Sequence, residues 1–454
     1  MGLQARECCA DRTDGFPQKT AAVSSILLCG EMGLKMEILK IEGGRRLEGA
    51  VGIHGAKNSA LPLLAATLLA RGTSEITNCP QLSDVAASVN ILRHLGCRVT
   101  GSGGTVAVDS LPLCRSDVPD GLMREMRSSI IFLGALIART GEAHMSFPGG
   151  CELGARPIDL HLAALRQLGA EIREERGRLE CRAAGRLKGT AIALDFPSVG
   201  ATENILLAAS TAEGETTILN AAREPEIVDL CAYLTRCGAK IHGAGEGAIT
   251  VEGVERLNAS PFRVMPDRIE AVTYLAAGAA TGGRLTLRGA DPRHIATVLP
   301  AFEEAGCTVR CAGDELSLSA PQRLRRVRSV RTMPYPGFPT DAQAPLMAMT
   351  CVADGTSVFV ENIFENRYKH AGELIRMGAN IKVEGRVAVV EGVRALSGAP
   401  VECTDLRGGA ALVIAGLAAE GSTSLRSLHH LDRGYEGLED ALQSVGASLH
   451  RIKE

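Results

Sequence analysis

Helices rich in small apolar residues recur along the chain, and each one runs up to a glycine that precedes a strand-like segment. Apolar residues occupy these helices on every side, which is typical of helices buried among other elements. Glycine suits the end of each helix because it adopts the left-handed conformation without steric cost. The six segments are LLAATLLARGTSEI (63–76), FLGALIARTGEAHM (132–145), ILLAASTAEGETTI (205–218), YLAAGAATGGRLTL (274–287), LMAMTCVADGTSVF (346–359) and LVIAGLAAEGSTSL (412–425).

A second phrase of five residues also occurs six times. It consists of an apolar residue, a glycine, an alanine or cysteine, a variable residue and a branched apolar residue. Its glycines lie about 70 residues apart, a spacing that indicates internal structural repeats. The copies are LGCRV (95–99), LGAEI (168–172), CGAKI (237–241), AGCTV (305–309), MGANI (377–381) and VGASL (445–449). Both phrases together predict an α/β fold built from six pseudo-symmetric units of strands and helices.

The sixth unit stops short of its last strand, whereas the chain carries an unassigned strand before its first helix. Residues 41–58 align with residues 251–268 and 390–407, which follow the third and fifth units. We therefore expect the N-terminal strand to close the sixth unit. The chain would then cross between two domains near residue 56 and again near residue 265.

This arrangement predicts a domain of three units over residues 57–265. A C-terminal domain would combine residues 36–56 with 266–454. Residues 1–35 precede a second methionine, Met36, and match neither a signal peptide nor a regular element. We interpret them as a disordered tail or as the product of a misassigned start codon.

Composition agrees with two domains, since 454 residues with 45% hydrophobic side chains exceed what one core usually serves. The formal charge of −3 comes from 49 basic and 52 acidic residues without a basic run, which argues against a nucleic-acid partner. The longest apolar stretches are too short to span a membrane. Fourteen cysteines without a Cys-x-x-Cys pair favour reduced thiols in the cytoplasm and no metal site. The oligomeric state stays open.

The repeats also indicate a functional site at the helix starts. The positions fourteen residues before the helix-ending glycines are Asn58, Arg127, Gly200, Arg268, Asp341 and Arg407, and Lys57 precedes the first of them. Unpaired N–H groups at helix N-termini attract anions. Cations at these ends oppose the helix dipole and therefore need another reason. The alternative is ordinary helix starts, with Asp341 acting as a cap after Thr340.

The loop SFPGGCELGARPIDLH (146–161) places a cysteine between two glycine-containing turns. A thiol at Cys151 close to Arg156 should have a lowered pKa and react with electrophiles. The alternative is an inert cysteine, which is the ordinary role of a single thiol. The loop position and the cationic surroundings favour the reactive interpretation.

Seven further segments are specific enough to compare with known families. They are GAKNSALPLLAATLLA (55–70), PGGCELGARPIDLH (148–161), FPSVGATEN (196–204), PGFPTDAQAP (336–345), IFENRYKH (363–370), DLRGGAALVIAG (405–416) and HHLDRGYEGLEDAL (429–442). Together they resemble the enolpyruvyl transferases, in particular the family that acts on UDP-N-acetylglucosamine, and the resemblance extends from Met36 to the C-terminus. It implies a two-domain inside-out α/β barrel that closes over phosphoenolpyruvate and UDP-N-acetylglucosamine, in the first committed step of peptidoglycan synthesis.

The same resemblance implies roles for individual residues. Cys151 is expected to donate the proton, Asp341 to act as base, and Lys57 and Arg407 to stabilise charge. Phosphoenolpyruvate would be bound by Lys57, Asn58, Arg156 and Arg407. The UDP-sugar would be held by Arg127, Arg156, Pro157, Ile158, Asp159, Leu160, Phe196, Pro197, Ser198, Val199, Asp341 and Ile363. Arg367 and Arg268 would add positive charge. The resemblance calls for no cofactor.

Two other interpretations remain open from the sequence. One is 5-enolpyruvylshikimate-3-phosphate synthase, although the resemblance places a reactive loop cysteine only on the UDP-sugar side. The other is a non-catalytic paralogue that binds a UDP-sugar. Because Asp159 and His161 lie two residues apart on a helix, we expect a structural role for His161. We also interpret the segment 429–435 as a structural turn.

Overall fold

The computed structural model describes residues 37–147 and 158–453, and these contain twenty-six strands, fourteen α-helices and two 3-10 helices. The strands are β1 (Glu37–Glu42), β2 (Glu48–Gly52), β3 (Ala70–Arg71), β4 (Thr73–Thr77), β5 (Arg98–Ser102), β6 (Thr105–Asp109), β7 (Asp117–Val118), β8 (Glu142–Ser146), β9 (Ala170–Glu175), β10 (Arg178–Ala183), β11 (Ala191–Ala193), β12 (Glu215–Leu219), β13 (Lys240–His242), β14 (Ala248–Glu252), β15 (Leu257–Asn258), β16 (Phe262–Arg263), β17 (Arg284–Arg288), β18 (Thr308–Ala312), β19 (Glu315–Ser319), β20 (Ser329–Arg331), β21 (Thr356–Val360), β22 (Asn380–Glu384), β23 (Val387–Glu391), β24 (Pro400–Glu402), β25 (Ser422–Arg426) and β26 (Ser448–Lys453). The α-helices are α1 (Lys57–Ala66), α2 (Ser83–His94), α3 (Asp120–Glu125), α4 (Phe132–Thr140), α5 (Asp159–Gln167), α6 (Val199–Ala209), α7 (Pro225–Arg236), α8 (Arg268–Ala280), α9 (Leu299–Glu304), α10 (Thr340–Thr350), α11 (Lys369–Arg376), α12 (Leu406–Ala418), α13 (His429–Asp432) and α14 (Leu438–Ser444). The 3-10 helices span Arg127–Ile131 and Pro292–Ile295.

Six four-stranded sheets share one topology within the described residues. In each sheet an edge strand runs parallel to the second strand, and the third and fourth strands are antiparallel to their neighbours. The orders are β16-β4-β6-β5, β7-β8-β10-β9, β11-β12-β14-β13, β2-β17-β19-β18, β20-β21-β23-β22 and β24-β25-β1-β26. The predicted α/β fold of six repeated units is therefore confirmed.

The glycines of the second repeated phrase follow an amphipathic helix in every unit. All six have a positive φ between 92° and 108°, a region that side chains with a Cβ rarely adopt. They are Gly96, Gly169, Gly238, Gly306, Gly378 and Gly446. The phrase recurs because each unit needs this left-handed turn between its helix and its last two strands.

The N-terminal strand lies in the middle of the last sheet. β1 pairs antiparallel with β25 on one side and with β26 on the other, with Ile41 opposite both Thr423 and Leu449. It thus occupies the place that β23 has between β21 and β22. The next strand, β2, is the parallel edge strand of the sheet that contains β17. In the same way, β16 is the parallel edge strand of the sheet that contains β4, although β4 lies more than 180 residues earlier in the chain.

The buried hydrophobic residues form two clusters. One extends from Ala60 to Val264, and the other combines residues 39–51 with residues 271–449. In the first cluster α4 and α6 approach closely, because a Cβ at Gly134 would lie 2.4 Å from the carbonyl oxygen of Asn204. Small side chains are therefore required where the helices meet. The division into two domains stays our proposal. No helix within 37–147 and 158–453 has the length and apolarity needed to cross a bilayer.

Two neighbouring segments connect the parts of the chain that carry these clusters. The N–H of Ala56 donates to the carbonyl of Met265 at 2.7 Å, and the N–H of Asp267 donates to the carbonyl of His54 at 2.8 Å. The next residues in the sequence, Lys57 and Arg268, are the first residues of α1 and α8. These hydrogen bonds therefore place two of the predicted site residues at adjacent helix starts.

Candidate active site

The six counted positions all lie at helix starts. Arg268 is the first residue of α8, while Asn58, Gly200, Asp341 and Arg407 are the second residues of α1, α6, α10 and α12. Arg127 begins the 3-10 helix that leads into α4, and its side chain lies outside the described residues. The repeat thus positions equivalent side chains at equivalent helix ends.

Both oxygens of Asp341 accept hydrogen bonds from buried guanidinium groups. Arg367 Nη2 donates to Oδ1 at 2.7 Å, and Arg407 donates to Oδ2 through Nη2 at 3.1 Å and Nε at 3.2 Å. The side chains of Arg367 and Arg407 are only 2% and 3% exposed, whereas that of Asp341 is 27% exposed. These charge-assisted bonds fix the carboxylate in one orientation with an accessible face. The N-cap of α10 is Pro339, so Asp341 is positioned by its arginine partners and does not cap the helix.

Lys57 lies in the same set of charges. Its Nζ is 3.3 Å from Oδ2 of Asp84, a first-turn residue of α2 that is 3% exposed. The other oxygen of Asp84 accepts from Arg433 Nε at 2.9 Å. One buried carboxylate is thus shared by two cations that lie far apart in the chain.

The electrostatic surroundings of Lys57 act in opposite directions. Burial lowers the pKa of its amine below the usual value. The carboxylates of Asp84 and Asp341 oppose this effect on the pKa, while Arg407 and Arg433 add to it. Lys57, Arg407, Arg433 and the two carboxylates therefore form one interacting group, which we call the cation cluster.

Three buried guanidinium groups in or near the cation cluster each keep one nitrogen without a hydrogen-bond partner among the described residues. These nitrogens are Nη1 of Arg407, Nε of Arg367 and Nη1 of Arg268. Buried donors in folded proteins are nearly always paired, so such groups indicate a missing acceptor. An anionic ligand would supply one.

Carboxylates at the N-caps of α8 and α12 make an arginine in the first turn of each helix more favourable. Asp405 Oδ1 accepts from the N–H groups of Arg407 and Gly408 at 3.1 and 3.0 Å. Asp267 caps α8, and its second oxygen accepts from the N–H of Lys57 at 3.3 Å. Each cap places a negative charge beside a cation that the helix dipole alone would disfavour.

Arg268 is held by an acidic partner from α7. Its Nε donates to Glu226 at 2.9 and 3.3 Å, and its guanidinium carbon lies 5.7 Å from the centre of the Tyr335 ring. Glu203 on α6 is buried beside these groups, and burial together with the charges of Glu226 and Glu224 raises the pKa of Glu203 well above its usual range. Arg268 is therefore a paired charge at the edge of the site.

The segments predicted to hold the sugar nucleotide come together at the starts of α5 and α6. Ser198 caps α6 through a bond from the N–H of Ala201 at 3.3 Å. His161 on α5 lies 2.8 Å from Nδ2 of Asn204 on α6, and a Cβ at Gly200 would meet the His161 ring at 2.9 Å. This contact brings residues 158–160 close to residues 196–199. Phe196 is 42% exposed there.

Ile363 lies on the other side, beside the start of α10. Its N–H donates to Oε1 of Glu361 at 2.8 Å, and Oε2 of the same carboxylate accepts from Thr340 Oγ1 at 3.0 Å. Glu361 is 1% exposed and thus ties the segment of Ile363 to the helix that carries Asp341.

For the remaining predicted site residues the structure gives few contacts or none. Asn58 is exposed at the start of α1, next to Lys57. Cys151, Arg156 and Pro157 lie outside the described residues. Within 37–147 and 158–453, no group of three or more His, Cys, Asp or Glu side chains is arranged to hold a metal ion.

Sequence reasoning missed the partners of the predicted cations. Asp84 and Glu226 have no distinguishing pattern, because an acidic residue near a helix start is common. Glu361, which binds Thr340 and the N–H of Ile363 rather than a cation, lies near a strand end and has no distinguishing pattern either. Arg433 was assigned to a structural turn, yet the structure places it in the cation cluster. Its partner is 349 residues away, so local pattern could not have identified this pair.

The family EPSP synthase (3-phosphoshikimate 1-carboxyvinyltransferase) matches residues 41–442. The match covers most of the chain, including every helix start of the cation cluster. The chain therefore belongs to this family of carboxyvinyl, or enolpyruvyl, transferases.

Relatives within the family bear a more particular name. UDP-N-acetylglucosamine 1-carboxyvinyltransferase 2 of Caldanaerobacter subterraneus subsp. tengcongensis is 52% identical over 413 residues, which cover 91% of this chain and 99% of that protein. UDP-N-acetylglucosamine 1-carboxyvinyltransferase 1 of Symbiobacterium thermophilum is 51% identical over 91% of this chain and 94% of its own length. That of Shewanella woodyi is 48% identical over 92% of this chain and 100% of its own length.

Solved structures agree on the fold. The enolpyruvyl transferase NikO from Streptomyces tendae superposes with a TM-score of 0.84 at 28% identity, covering 92% of this chain and 100% of that one. EPSP synthase from Acinetobacter baumannii gives a TM-score of 0.71 at 19% identity over 92% of this chain and 100% of its own, a likeness that concerns the fold alone.

Proposed function

We propose that this protein transfers the enolpyruvyl group of phosphoenolpyruvate to the 3′-hydroxyl of UDP-N-acetylglucosamine and releases phosphate. The relatives that share about half of its residues over nearly their whole length bear the name of this activity. The reaction is the first committed step of peptidoglycan synthesis. The proposed location is the cytoplasm, since all ten cysteines described by the structure are unpaired thiols, as a reducing compartment favours.

The observation that carries the proposal is the buried cation cluster around Asp341. Phosphoenolpyruvate is a small ligand with a phosphate and a carboxylate, and it needs several cations in a confined space. Lys57, Arg407 and Arg433 supply them, and Nη1 of Arg407 is a buried donor that has no acceptor among the described residues. Arg156 would complete the set from the segment outside the described residues. Asn58, exposed beside Lys57, would contact the acceptor and the intermediate.

Addition is the first proposed step. Asp341 takes the proton of the sugar hydroxyl while that oxygen forms a bond to C2 of phosphoenolpyruvate, and the electron pair of the double bond accepts a proton at C3. Cys151 is the proposed donor of this proton. Two guanidinium groups hold Asp341 in place, so its accessible face can be directed at the hydroxyl.

Elimination completes the reaction. The thiolate left at Cys151 takes a proton back from C3, the double bond forms again, and the bond from C2 to the phosphate oxygen breaks. The proton that Asp341 took from the sugar hydroxyl leaves with the phosphate. Inorganic phosphate leaves with the electron pair, and the sugar keeps the enolpyruvyl ether. Lys57, Arg407 and Arg433 stabilise the phosphate as its charge increases. The atoms and electrons balance without an oxidant or a reductant.

The UDP portion of the acceptor would lie along the starts of α5 and α6. The exposed ring of Phe196, the backbone of Ser198 and Val199 at the start of α6, and Asp159 at the start of α5 would contact it. Ile363 would contact the sugar nucleotide from the side of Asp341. Arg127 and Arg156 would pair with the diphosphate.

Phosphate release from phosphoenolpyruvate tests the choice of acceptor. We expect release with UDP-N-acetylglucosamine and none with shikimate 3-phosphate. Release with shikimate 3-phosphate alone would make the protein an EPSP synthase, as the family description and the Acinetobacter fold match allow. Tight binding of the UDP-sugar without release would identify a binding paralogue.

A further inference from the structure

We propose that Asp84 is a positioning residue of this site, which holds Lys57 and Arg433 together as a pair of phosphate-binding cations. This inference rests on the proposed function, because it concerns the same phosphoenolpyruvate site. Asp84 need not contact the substrate itself. Its role is to keep one cation protonated and the other in place.

The geometry of Asp84 supports this role. Each of its two oxygens contacts a different cation, Lys57 Nζ at 3.3 Å and Arg433 Nε at 2.9 Å. Asp84 is 3% exposed, and the Lys57 side chain is 10% exposed. The Arg433 side chain is 37% exposed, so its bond to buried Asp84 is what fixes the guanidinium next to Lys57. A buried carboxylate restricts a buried amine far more than a surface ion pair would.

The charges that face Lys57 show why a carboxylate is needed here. The groups that act on the amine are Asp84 and Asp341, with negative charge, and Arg407 and Arg433, with positive charge. Asp341 is already shared between Arg367 and Arg407. Asp84 is therefore the acid that contacts Lys57 directly. Without it, burial and two arginines would favour the neutral amine.

A second contact joins the same two segments. The backbone N–H and Nε2 of Gln81 donate to Glu436 at 2.8 and 3.1 Å. Residues 81–84 at the start of α2 thus bind residues 433–436 after α13 at two points. These contacts hold Arg433 next to the segment that carries Asp84 and hence close to Lys57. The anion site is therefore complete only when both segments are in contact.

The test compares Asp84→Asn, Asp84→Glu and the control Asp120→Asn. Asp120 is a first-turn acid of α3 that pairs with exposed Arg124, so its replacement changes a similar position away from the cluster. For Asp84→Asn we expect KM for phosphoenolpyruvate to rise at least about tenfold, equivalent to 1.4 kcal/mol. KM for UDP-N-acetylglucosamine should stay near that of the unchanged chain.

The pH profile provides a readout that a purely structural role would not change. Because Asp84 raises the pKa of Lys57, its loss should move the alkaline limb of kcat/KM for phosphoenolpyruvate to lower pH by about one unit or more. Asp84→Glu keeps the charge, so its alkaline limb should stay in place while KM for phosphoenolpyruvate rises. A folded Asp84→Asn chain with an unchanged KM and limb would overturn the proposal. If Asp84→Asn does not fold, an unchanged KM in Asp84→Glu would overturn it.

A binding measurement separates this inference from the proposed function. Inorganic phosphate should raise the melting temperature of the unchanged chain and of Asp120→Asn, and much less that of Asp84→Asn. If the unchanged chain shows no turnover while phosphate stabilises it more than Asp84→Asn, the proposed reaction is contradicted and the role of Asp84 is supported. Equal stabilisation of all folded variants by phosphate would contradict the role of Asp84.

Discussion

Buried charged side chains in this protein are held by partners from distant segments. Asp341 is bound by two arginines, and Asp84 is bound by Lys57 and Arg433. Removing one member of such a set leaves the others buried without compensation, which is costly. The single residue therefore acts here through its pairing, and substitutions should affect ligand binding and folding together.

His161 illustrates a buried polar residue with a structural role. Burial lowers the pKa of its imidazole to about 4, against an ordinary value of 6.5. Below pH 6.5 the unfolded chain therefore takes up a proton that the folded chain does not accept until about pH 4. Stability should fall as the pH falls through this window, by about 3 kcal/mol from this group.

Chemical denaturation of the unchanged chain and of His161→Gln across this pH range checks the prediction. The variant should show a shallower loss of unfolding free energy on acidification. Its kcat at neutral pH should change little, since Asn204 rather than substrate is the partner of the ring. An equal acid slope in both chains would contradict the assigned pKa, and a large loss of kcat would point to a catalytic role.

Part of the site could be predicted from single residues, and part could not. Asp341 and Arg407 could be predicted because they occupy equivalent places in a repeated unit, and Lys57 because it precedes Asn58 at another of these places. The structural assignment of His161 followed from its spacing to Asp159. Arg433 and Asp84 were missed because their pairing depends on contacts across 349 residues, and no local pattern records such contacts.

Helix starts are the elements on which the site is built. Each is a helix N-terminus whose first N–H groups have no partner within the helix, and the side chains of Asp267, Asp405 and Ser198 cap three of them. The positions of these helix starts could be predicted from the sequence, because each lies fourteen residues before a glycine that ends a helix. The cap residues could not be separated from other acids, because a cap is defined by backbone geometry that the sequence does not reveal.

Replacing the cap of α8 tests the link between element and site. Asp267→Ala should lower the unfolding free energy by about 1 to 2 kcal/mol, because two N–H groups at the start of α8 lose their acceptor. It should also raise KM for phosphoenolpyruvate, since Asp267 accepts from the N–H of Lys57. Steady-state kinetics and denaturation of the variant measure both effects.

Asp291→Ala is the matched control for this prediction. Asp291 caps the 3-10 helix of Pro292–Ile295 by accepting from the N–H of Arg293 at 3.0 Å, outside the cation cluster. This variant should lose stability without a change in KM. A similar rise in KM for both variants would show that the effect of Asp267 is not local to the site.

At the scale of the whole molecule, strands from one end of the chain complete sheets formed near the other. β1 lies between β25 and the C-terminal β26, and β2 joins the sheet of β17. The alignment of residues 41–58 with two later segments made this closure predictable. Which helix ends face each other required the structure, because the repeat specifies units and not the contacts between them.

Leu39 tests the contribution of β1 to the whole fold. Its side chain is fully buried, and the residue pairs with Leu425 on one side and Arg451 on the other. Leu39→Ala should lower the unfolding free energy by about 2 to 5 kcal/mol, the usual cost of such a core truncation. Leu111→Ala is the control, since Leu111 is 63% exposed, and it should change stability by less than about 0.5 kcal/mol. Thermal and chemical denaturation measure both variants. If Leu39→Ala and Leu111→Ala lower stability equally, an essential role for β1 is contradicted.

We propose that this chain attaches an enolpyruvyl group to a UDP-sugar. The most direct measurement is the mass of UDP-N-acetylglucosamine after incubation with phosphoenolpyruvate and the purified protein, with released phosphate measured in parallel. We predict that the sugar nucleotide gains the mass of one enolpyruvyl group for each phosphate released, and that Asp341→Asn forms this product at least about a hundredfold more slowly. An unchanged sugar nucleotide, or phosphate release without the heavier product, would contradict the account.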